Sequence, residues 1–438
     1  MEGNFQKSVI PMKVAVIGLG FVGLPLALLL QQKGFCVTGL DLDYKKVQKL
    51  AQGRSTLSEI NDEKIVSALT SGRFTVTSIS NFIKDQDVII VCVPTPLNNN
   101  KEPDLSYLKK VGESIAPKIK EKQLVVLESS VYPGVTREFF KPLLEQSGLC
   151  AGKDFYLAYS PERIDPGNKQ IKVNSIPKIV SGISTKCSEE ICKVYGHVYE
   201  KVVEVSTPET AELTKLLENS YRFINISFIN EFADLCEQLN ISVWEVIKAA
   251  STKPYGYQPF YPGPGIGGHC IPIDPLYLKY KANQIKAPYQ FIQLSDEINQ
   301  SLPAVITNKL ASLLPNDLLI NEANILIYGV TYKKDVEDAR ESPAVKIIQS
   351  LVAQGAKIQY HDPYLKKISI NENFMLKSVS LTKETLEKVD CVLILTDHSN
   401  IPVEMILDYA PIVYDTRNVT RGRKGKAKVY RLGEGFSS

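Results

Sequence analysis

The first apolar run of the chain, Lys13-Val-Ala-Val-Ile17, is continuous rather than alternating and leads into a glycine. A run of that kind predicts a strand covered on both faces. Leu24 to Gln32 follows as an apolar helical segment, and Phe35 to Leu40 as a second strand. Asp87-Val-Ile-Ile-Val-Cys-Val93 and Leu124-Val-Val-Leu127 continue the alternation. Strand and helix in repetition imply a parallel sheet with helices on its faces. Near Val205 the pattern changes. Thr207 is a capping residue, Pro208 suits a first helical position and Glu209 suits the positive helix end. No proline or glycine then occurs up to about Leu239, which predicts one long helix. Ser242-Val-Trp-Glu245 reads as a capping box opening another helix. Prolines and glycines crowd Lys253 to Pro275, a structured loop. Beyond about Asn321 the buried-strand pattern returns in Asn324-Ile-Leu-Ile-Tyr328, Lys357-Ile-Gln-Tyr360, Cys391-Val-Leu-Ile-Leu395 and Ile412-Val-Tyr414, with a helix from Ser342 to Ala353. The expected fold is α/β, two doubly wound Rossmann-like domains (1–206 and 319–438) joined by a central all-helical region (207–318).

Length supports this division, since 438 residues exceed what one ordinary core organises. Apolar content of 44% and charge of 23% are those of a soluble globular protein. The net charge of +3 comes from 51 basic and 48 acidic residues spread along the chain, which argues against nucleic-acid or membrane-surface partners. Met1 to Met12 lacks the apolar core of a signal peptide. Runs such as Phe21 to Leu30 fall well short of the ~20 residues that cross a bilayer. The expectation is a cytoplasmic protein. Eight cysteines without CxxC pairs argue against a disulfide framework and against a metal site. Seven of them read as buried small hydrophobes.

Gly18-Leu-Gly20-Phe21-Val22-Gly23 follows the first strand and opens the first helix, the context that gives a GxGxxG pattern its meaning. Gly18 permits the tight turn, Gly20 lets the backbone approach a pyrophosphate and Gly23 lets helix and strand pack closely. The phosphates then sit at the positive helix end. Asp41 ends the second strand, where an acid binds the ribose hydroxyls of NAD and repels the 2′-phosphate of NADP. Lys45 and Lys46 stand nearby, and either can counter a phosphate.

The segment Gly263-Pro-Gly-Ile-Gly-Gly-His-Cys-Ile-Pro-Ile-Asp274 is the most unusual in the chain. Glycines at 265, 267 and 268 free the backbone and allow a ligand close approach. A cysteine after such a run is a candidate nucleophile toward a carbonyl, and Asp274 a candidate for proton transfer or for positioning water. The residues alone leave Cys270 equally readable as a buried loop thiol. His269 reads as loop structure or a substrate contact rather than a base, because adjacent side chains commonly diverge.

Beyond these, Val93-Pro-Thr-Pro96, Glu128-Ser-Ser-Val-Tyr-Pro-Gly134, Ser160-Pro-Glu-Arg163, Lys215-Leu-Leu-Glu-Asn219 and Tyr332-Lys-Lys-Asp335 occur in a fixed order with the two glycine motifs. In that order, from Lys13 to about Val419, they resemble the UDP-glucose/GDP-mannose dehydrogenase family. The resemblance implies oxidation of a sugar C6 alcohol to a carboxylate by two hydride transfers to NAD, without release of the aldehyde. It implies that Cys270 is the nucleophile, forming a thiohemiacetal that is oxidised to a thioester and hydrolysed. Lys215 and Asn219, one helical turn apart, match residues that stabilise the oxyanion. Glu162 matches the general acid/base, and Asp274 with Ser130 would hold the water. Thr95, Glu128, Arg340 and Lys46 fall at positions resembling cofactor contacts, with Phe21 and Val22 in the glycine turn. Arg163, Lys215, Asn219, Gly267, His269, Lys333 and Arg417 fall at positions resembling substrate contacts.

Ser130 stands where the UDP-glucose branch has threonine, His269 replaces a serine, and Ile273 replaces the lysine of that branch's Cys-x-Pro-Lys-Asp. These departures, with Ser160-Pro-Glu-Arg-Ile-Asp-Pro-Gly167, resemble the UDP-N-acetylhexosamine branch, and the implied substrate is UDP-N-acetylglucosamine, for surface polysaccharide synthesis. UDP-glucose and UDP-N-acetylgalactosamine are the alternatives. Two other readings compete, a two-electron 3-hydroxyacid type of dehydrogenase and a silent nucleotide-binding regulator. The resemblance also implies a homodimer formed through the central helices.

Overall fold

The computed structural model describes residues 12–57, 59–164 and 171–435. Residues 1–11, the 165–167 end of the Ser160–Gly167 motif and residues 436–438 lie outside the described residues. By contacts the chain divides into two compact units, Met1–Glu218 with Leu276–Ile285, and Asn219–Pro275 with Lys286–Ser438.

The first unit is built on eight strands: β1 (Lys13–Ile17), β2 (Cys36–Leu40), β3 (Phe74–Thr77), β4 (Val88–Val91), β5 (Leu124–Leu127), β6 (Tyr156–Tyr159), β7 (Lys178–Gly182) and β8 (Val202–Glu204). Their order is β3-β2-β1-β4-β5-β6-β7-β8. All neighbours run parallel except β6 and β7. The continuous apolar run of β1 is explained by its two faces. Val14 and Val16 pack with Leu24, Ala27 and Leu28 on one side, while Ala15 and Ile17 join Leu108 and Ile115 on the other. β2 and β4 lie on opposite sides of β1, so the strand order reverses at its carboxyl end, where doubly wound sheets bind ligands. The glycine turn lies there.

The long helix runs Pro208–Gln238, and Thr207 Oγ1 accepts the Thr210 amide at 3.1 Å as its cap. The capping box expected at Ser242 does not form. The helix Val243–Ala250 starts there, but the Ser242 hydroxyl donates to Glu434 at 3.3 Å and the Val243 amide to the Gly433 carbonyl at 2.9 Å. A tertiary contact thus replaces the local cap. Trp244 adds a bond from Nε1 to the Leu432 carbonyl at 2.8 Å.

The second unit carries β9 (Asn324–Tyr328), β10 (Lys357–His361), an antiparallel hairpin of β11 (Lys367–Asn371) and β12 (Phe374–Lys377), then β13 (Cys391–Ile394), β14 (Ile412–Asp415) and β15 (Lys428–Arg431). Its five-stranded sheet is parallel throughout, in the order β10-β9-β13-β14-β15. β9 and β13 are buried on both faces, and the order reverses between β10 and β13 on either side of β9. The protein therefore contains two doubly wound Rossmann-like sheets with a helical region between them in sequence. None of the eight cysteines forms a disulfide; of the seven expected to be buried, Cys150 is exposed and Cys36 and Cys192 are only half-buried. Among the described residues no helix is long and apolar enough to cross a membrane.

Candidate active site

At the end of β1, Gly18 has φ +92°, and a Cβ there would lie 2.6 Å from the Cys92 carbonyl oxygen, so turn and packing both require glycine. A Cβ on Gly20 would meet nothing within 4 Å, which leaves its backbone open to a ligand. Gly23 begins the helix Gly23–Gln32, whose first turn carries neither a side-chain cap nor an acidic residue. The Leu24 and Leu26 amides bond back to the Gly20 and Val22 carbonyls at 3.1 and 3.2 Å and Pro25 has none, so what the helix offers a pyrophosphate is its positive end. The Leu19 amide donates to Asp41 Oδ2 at 2.9 Å, so the acid after β2 also braces the glycine turn. Lys46 Nζ bonds the same oxygen at 2.7 Å. Burial alone would push Asp41 up, but Lys46 and the amides of Asp43 and Leu19 hold it below the usual carboxylate range. Lys46 is thus committed to Asp41. These residues fit an NAD adenosine and pyrophosphate.

Around the strand ends of the same sheet, Thr95 Oγ1 donates to the Ser130 carbonyl at 2.6 Å, and the Thr95 carbonyl accepts from the Tyr277 hydroxyl. The Thr95 hydroxyl thus ties the loop after β4 to the loop after β5, and the Tyr277 hydroxyl holds Thr95 itself. Glu128, at the end of β5, is 2% exposed, with one oxygen taken by the Tyr195 hydroxyl and the other 3.0 Å from Lys178 Nζ. Lys178 also reaches Glu162 Oε2 at 2.9 Å. The second Glu162 oxygen accepts the amides of Arg163 at 2.6 Å and Ile164 at 2.7 Å. Arg163 is engaged within the protein, donating to Glu218 at 2.5 and 3.2 Å and to the Pro177 carbonyl at 2.8 Å. Lys215, on the long helix, is buried. One turn earlier Glu212 is fully buried and accepts the amides of Gly134 (2.7 Å) and Thr136 (2.9 Å) and the Thr136 hydroxyl (2.6 Å). This ties the Glu128–Gly134 loop to the helix. Burial outweighs those bonds and pushes Glu212 up to about 7.

In the second unit, Asn219 is fully buried. Its Nδ2 donates to Asp274 Oδ2 and its Oδ1 accepts from Arg222, so one acceptor and one donor fix the orientation of the amide. The Cys270 carbonyl accepts the Asp274 amide at 2.9 Å and the Ile273 amide at 3.2 Å, a turn that leads into the helix Asp274–Gln284. Cys270 is exposed, unlike Cys92 just past β4 and Cys391 on β13, which are buried. Arg340, clamped at 2.7–3.1 Å by Asp338, lies within charge-interaction range of Cys270.

The glycines of this loop act differently from the expectation that they admit a ligand. A Cβ on Gly267 would fall 2.8 Å from both the Glu341 carbonyl and Tyr332 Cβ, and one on Gly268, at φ +88°, 2.8 Å from the Tyr332 ring. Their smallness is used by protein packing, reinforced by the Gly268 amide on the Arg340 carbonyl at 3.1 Å. Next to them His269 is held below the usual imidazole range by burial and by the Arg340 charge, and is neutral at neutral pH.

Lys333 lies in the loop leaving β9, and its carbonyl accepts the Thr331 hydroxyl at 2.9 Å. Arg417, just past β14, donates from Nε to the Leu395 carbonyl at 2.9 Å and flanks Gly263. Sequence reading missed the residues that order this end of the sheet. His398 is 1% exposed; its Nε2 lies 3.2 Å from Asp362, and its Nδ1 accepts the Asp335 amide at 3.1 Å. Asp362 also accepts the Val330 amide at 2.7 Å. Asp362 directly follows β10 and His398 lies in the loop after β13, a position at the strand ends that was the signal by which they were findable. Lys178, Glu212, Tyr195 and Arg222 were missed as well, and only their contacts reveal them.

A dinucleotide turn on one doubly wound sheet, a second such sheet with basic residues at its strand ends, and an exposed cysteine beside buried polar groups define an NAD-dependent oxidoreductase of nucleotide-linked substrates. Family models match residues 12–203 (UDP-glucose/GDP-mannose dehydrogenase family, NAD binding domain), 209–301 (central domain) and 326–422 (UDP binding domain). The chain belongs to the UDP-glucose/GDP-mannose dehydrogenase family. It is 34% identical over 420 residues to a UDP-N-acetyl-D-mannosamine dehydrogenase of Methanococcus maripaludis, covering 93% of each chain. It is 36% identical over 357 residues to a UDP-N-acetyl-D-glucosamine 6-dehydrogenase of Pseudomonas aeruginosa, covering 81% of this chain and 83% of that one. Among solved structures, a UDP-N-acetyl-D-mannosamine dehydrogenase from Pyrococcus horikoshii superposes with a TM-score of 0.86 at 31% identity, covering 97% of this chain and 100% of that one.

Proposed function

We propose that this protein oxidises the C6 alcohol of a UDP-N-acetylhexosamine to the uronic acid, in two hydride transfers, through a covalent intermediate on Cys270. The observation that carries the reading is the exposed Cys270 thiol in a loop whose next turn ends on the buried Asn219–Asp274 pair. NAD, when bound, would supply the hydride acceptor, one NAD for each of the two oxidations. An aldehyde has no hydride to give until a nucleophile adds, so the second oxidation requires the thiol. The first oxidation delivers the aldehyde to the Cys270 sulfur; the thiohemiacetal is oxidised to a thioester, and water releases the acid. Lys215 and the second N–H of Asn219 stabilise the oxyanion. Glu162 takes the proton of the attacking water, which Asp274 and Ser130 orient. The remaining cofactor contacts are assigned to Asp41, Lys46, Thr95, Glu128 and Arg340, and the substrate contacts to Arg163, Gly267, His269, Lys333 and Arg417.

The resemblance of the sequence motifs puts UDP-N-acetylglucosamine first. Relatives named for UDP-N-acetyl-D-mannosamine at 34% identity over 93% and 97% of the chain favour the C2 epimer as a second reading. NADH formation on a panel of UDP-sugars decides between them. Two NADH per sugar, and loss of turnover in Cys270→Ala with UDP-sugar binding retained, are the expected results; one NADH per sugar would overturn the covalent mechanism. The division into domains 1–206, 207–318 and 319–438, a cytoplasmic location and a role in surface polysaccharide precursor supply belong to the same reading. So does a homodimer, supported by exposed Leu217, Phe228 and Leu235 on the long helix.

A further inference from the structure

Beneath the strand ends of the first sheet lies a cluster centred on a lysine to which the reaction as proposed gives no role: Lys178 on β7, with Glu128 after β5, Tyr195 and Tyr199. Lys178 is 2% exposed, and its ammonium stands 3.0 Å from Glu128 Oε2 and 2.9 Å from Glu162 Oε2. The rings of Tyr195 and Tyr199 flank the ammonium, with centroids 5.7 and 5.3 Å from Nζ. A lysine buried this deeply costs several kcal/mol of lost hydration unless it is paired. Here one cation serves two carboxylates, and only one of them reaches toward the surface.

We propose that Lys178 is the positioning residue of thioester hydrolysis, the buried counter-ion that orients the Glu162 carboxylate from behind. The inference rests on the reading of Glu162 as the acid/base. Glu162 Oε1 spends both lone pairs on the amides of Arg163 and Ile164, and Oε2 spends one on Lys178. The remaining lone pair on Oε2 is the position from which this carboxylate takes a proton. In that step the water oxygen bonds to the thioester carbon, the carbon–sulfur bond breaks, and sulfur leaves as the Cys270 thiolate. The water proton passes to Glu162 Oε2 and then to the sulfur, with no change of oxidation state.

Two carboxylates and one ammonium leave the cluster one negative charge in excess if both acids ionise, which burial disfavours. The two respond in opposite directions. Burial and the neighbouring Glu162 charge push Glu128 up against the pull of Lys178, whereas Lys178 and the two amides hold Glu162 below the usual range despite burial. Glu162 is the stronger acid of the two, and Glu128 competes with it for Lys178. The other titratable groups facing the cluster are Tyr195, Tyr199 and Cys92, all pushed up by burial and neutral, and outside it the Arg163–Glu218 pair.

The test follows hydrolysis of the enzyme-bound thioester in a single turnover, by intact mass, as a function of pH. In Lys178→Met the thioester accumulates after both hydride transfers, and the acid limb of hydrolysis moves up by about 1–3 pH units, the usual effect of losing an adjacent opposite charge. Lys178→Arg returns the limb toward the wild-type position. Glu128→Gln, which gives Lys178 to Glu162 alone, moves the limb down, and it decides the matter should Lys178→Met fail to fold. An unmoved limb in the folded variants, with stability alone reduced, makes Lys178 structural and overturns the proposal. Glu162→Gln separates the underlying reading. If it hydrolyses thioester at the wild-type rate, the role of Glu162 is wrong; if it stalls while Lys178→Met hydrolyses normally, only the role of Lys178 is.

Discussion

Asn219 and Asp274, 55 residues apart, are joined by a buried hydrogen bond from the Asn219 amide to the Asp274 carboxylate. The bond fixes the start of the helix after Cys270 to the long helix. Because Asp274 is 2% exposed, removing its donor leaves a buried carboxylate short of a partner. Asn219→Ala is expected to cost about 1–3 kcal/mol in urea unfolding and to lower turnover. Asn219→Asp places two carboxylates in contact and is expected to be worse. A loss within experimental error for both would show that the pair does not hold the loop.

Asp41 both braces the glycine turn through the Leu19 amide and neutralises Lys46. Asp41→Ala removes both functions and the acceptor for a ribose. The KM for NAD is expected to rise about tenfold, equivalent to about 1.4 kcal/mol, with a smaller change in kcat. An unchanged KM for NAD would place the ribose elsewhere.

Gly267 has no room for a side chain between Tyr332, Glu341 and Pro343. Gly267→Ala is expected to destabilise by about 1–3 kcal/mol through overpacking. As the loop is forced away from Tyr332, Cys270 should alkylate faster with iodoacetamide. Equal melting and equal alkylation rates would show that the loop has slack that the geometry does not indicate.

Glu212 gives the chain a pH-dependent stability term. Its folded value of about 7 lies above the ordinary carboxylate value of 4.5, so the folded state binds the proton more tightly. That contribution is fully present below about 4.5 and is lost as pH rises through about 7, on the order of 3 kcal/mol over the window. Glu212→Gln keeps an acceptor for Thr136 and loses the titration. The urea midpoint of the wild type should therefore fall between pH 5 and 8 relative to that of the variant. Parallel profiles would assign the pH dependence to other groups.

The alternation of buried strands and helices was legible from apolar runs because β1, β4, β5, β9 and β13 are covered on both faces and admit little but aliphatic side chains. The NAD turn was legible too, since Gly18, at φ +92°, and Gly23, against the Gly18 carbonyl, each meet a demand set by the turn itself. Cys270 itself carried no such signal. Composition left it as readable as a loop thiol, and only the order of motifs around it makes it the proposed nucleophile.

What the tertiary structure decided is everything that depends on a partner distant in sequence. The antiparallel turn of β7 against β6 is such a case, as is the use of Ser242 on Glu434 rather than on its own helix. So is the packing of Gly267 and Gly268 on Tyr332. Lys178 is the clearest instance. In sequence it is one lysine among many at the start of a strand; in the fold its ammonium lies 2.9–3.0 Å from two glutamates that are 16 and 50 residues away. Hydrophobic periodicity reports local burial, one residue at a time. The state of a buried charge depends on which other charges the fold brings within a few ångströms, and no local pattern encodes that.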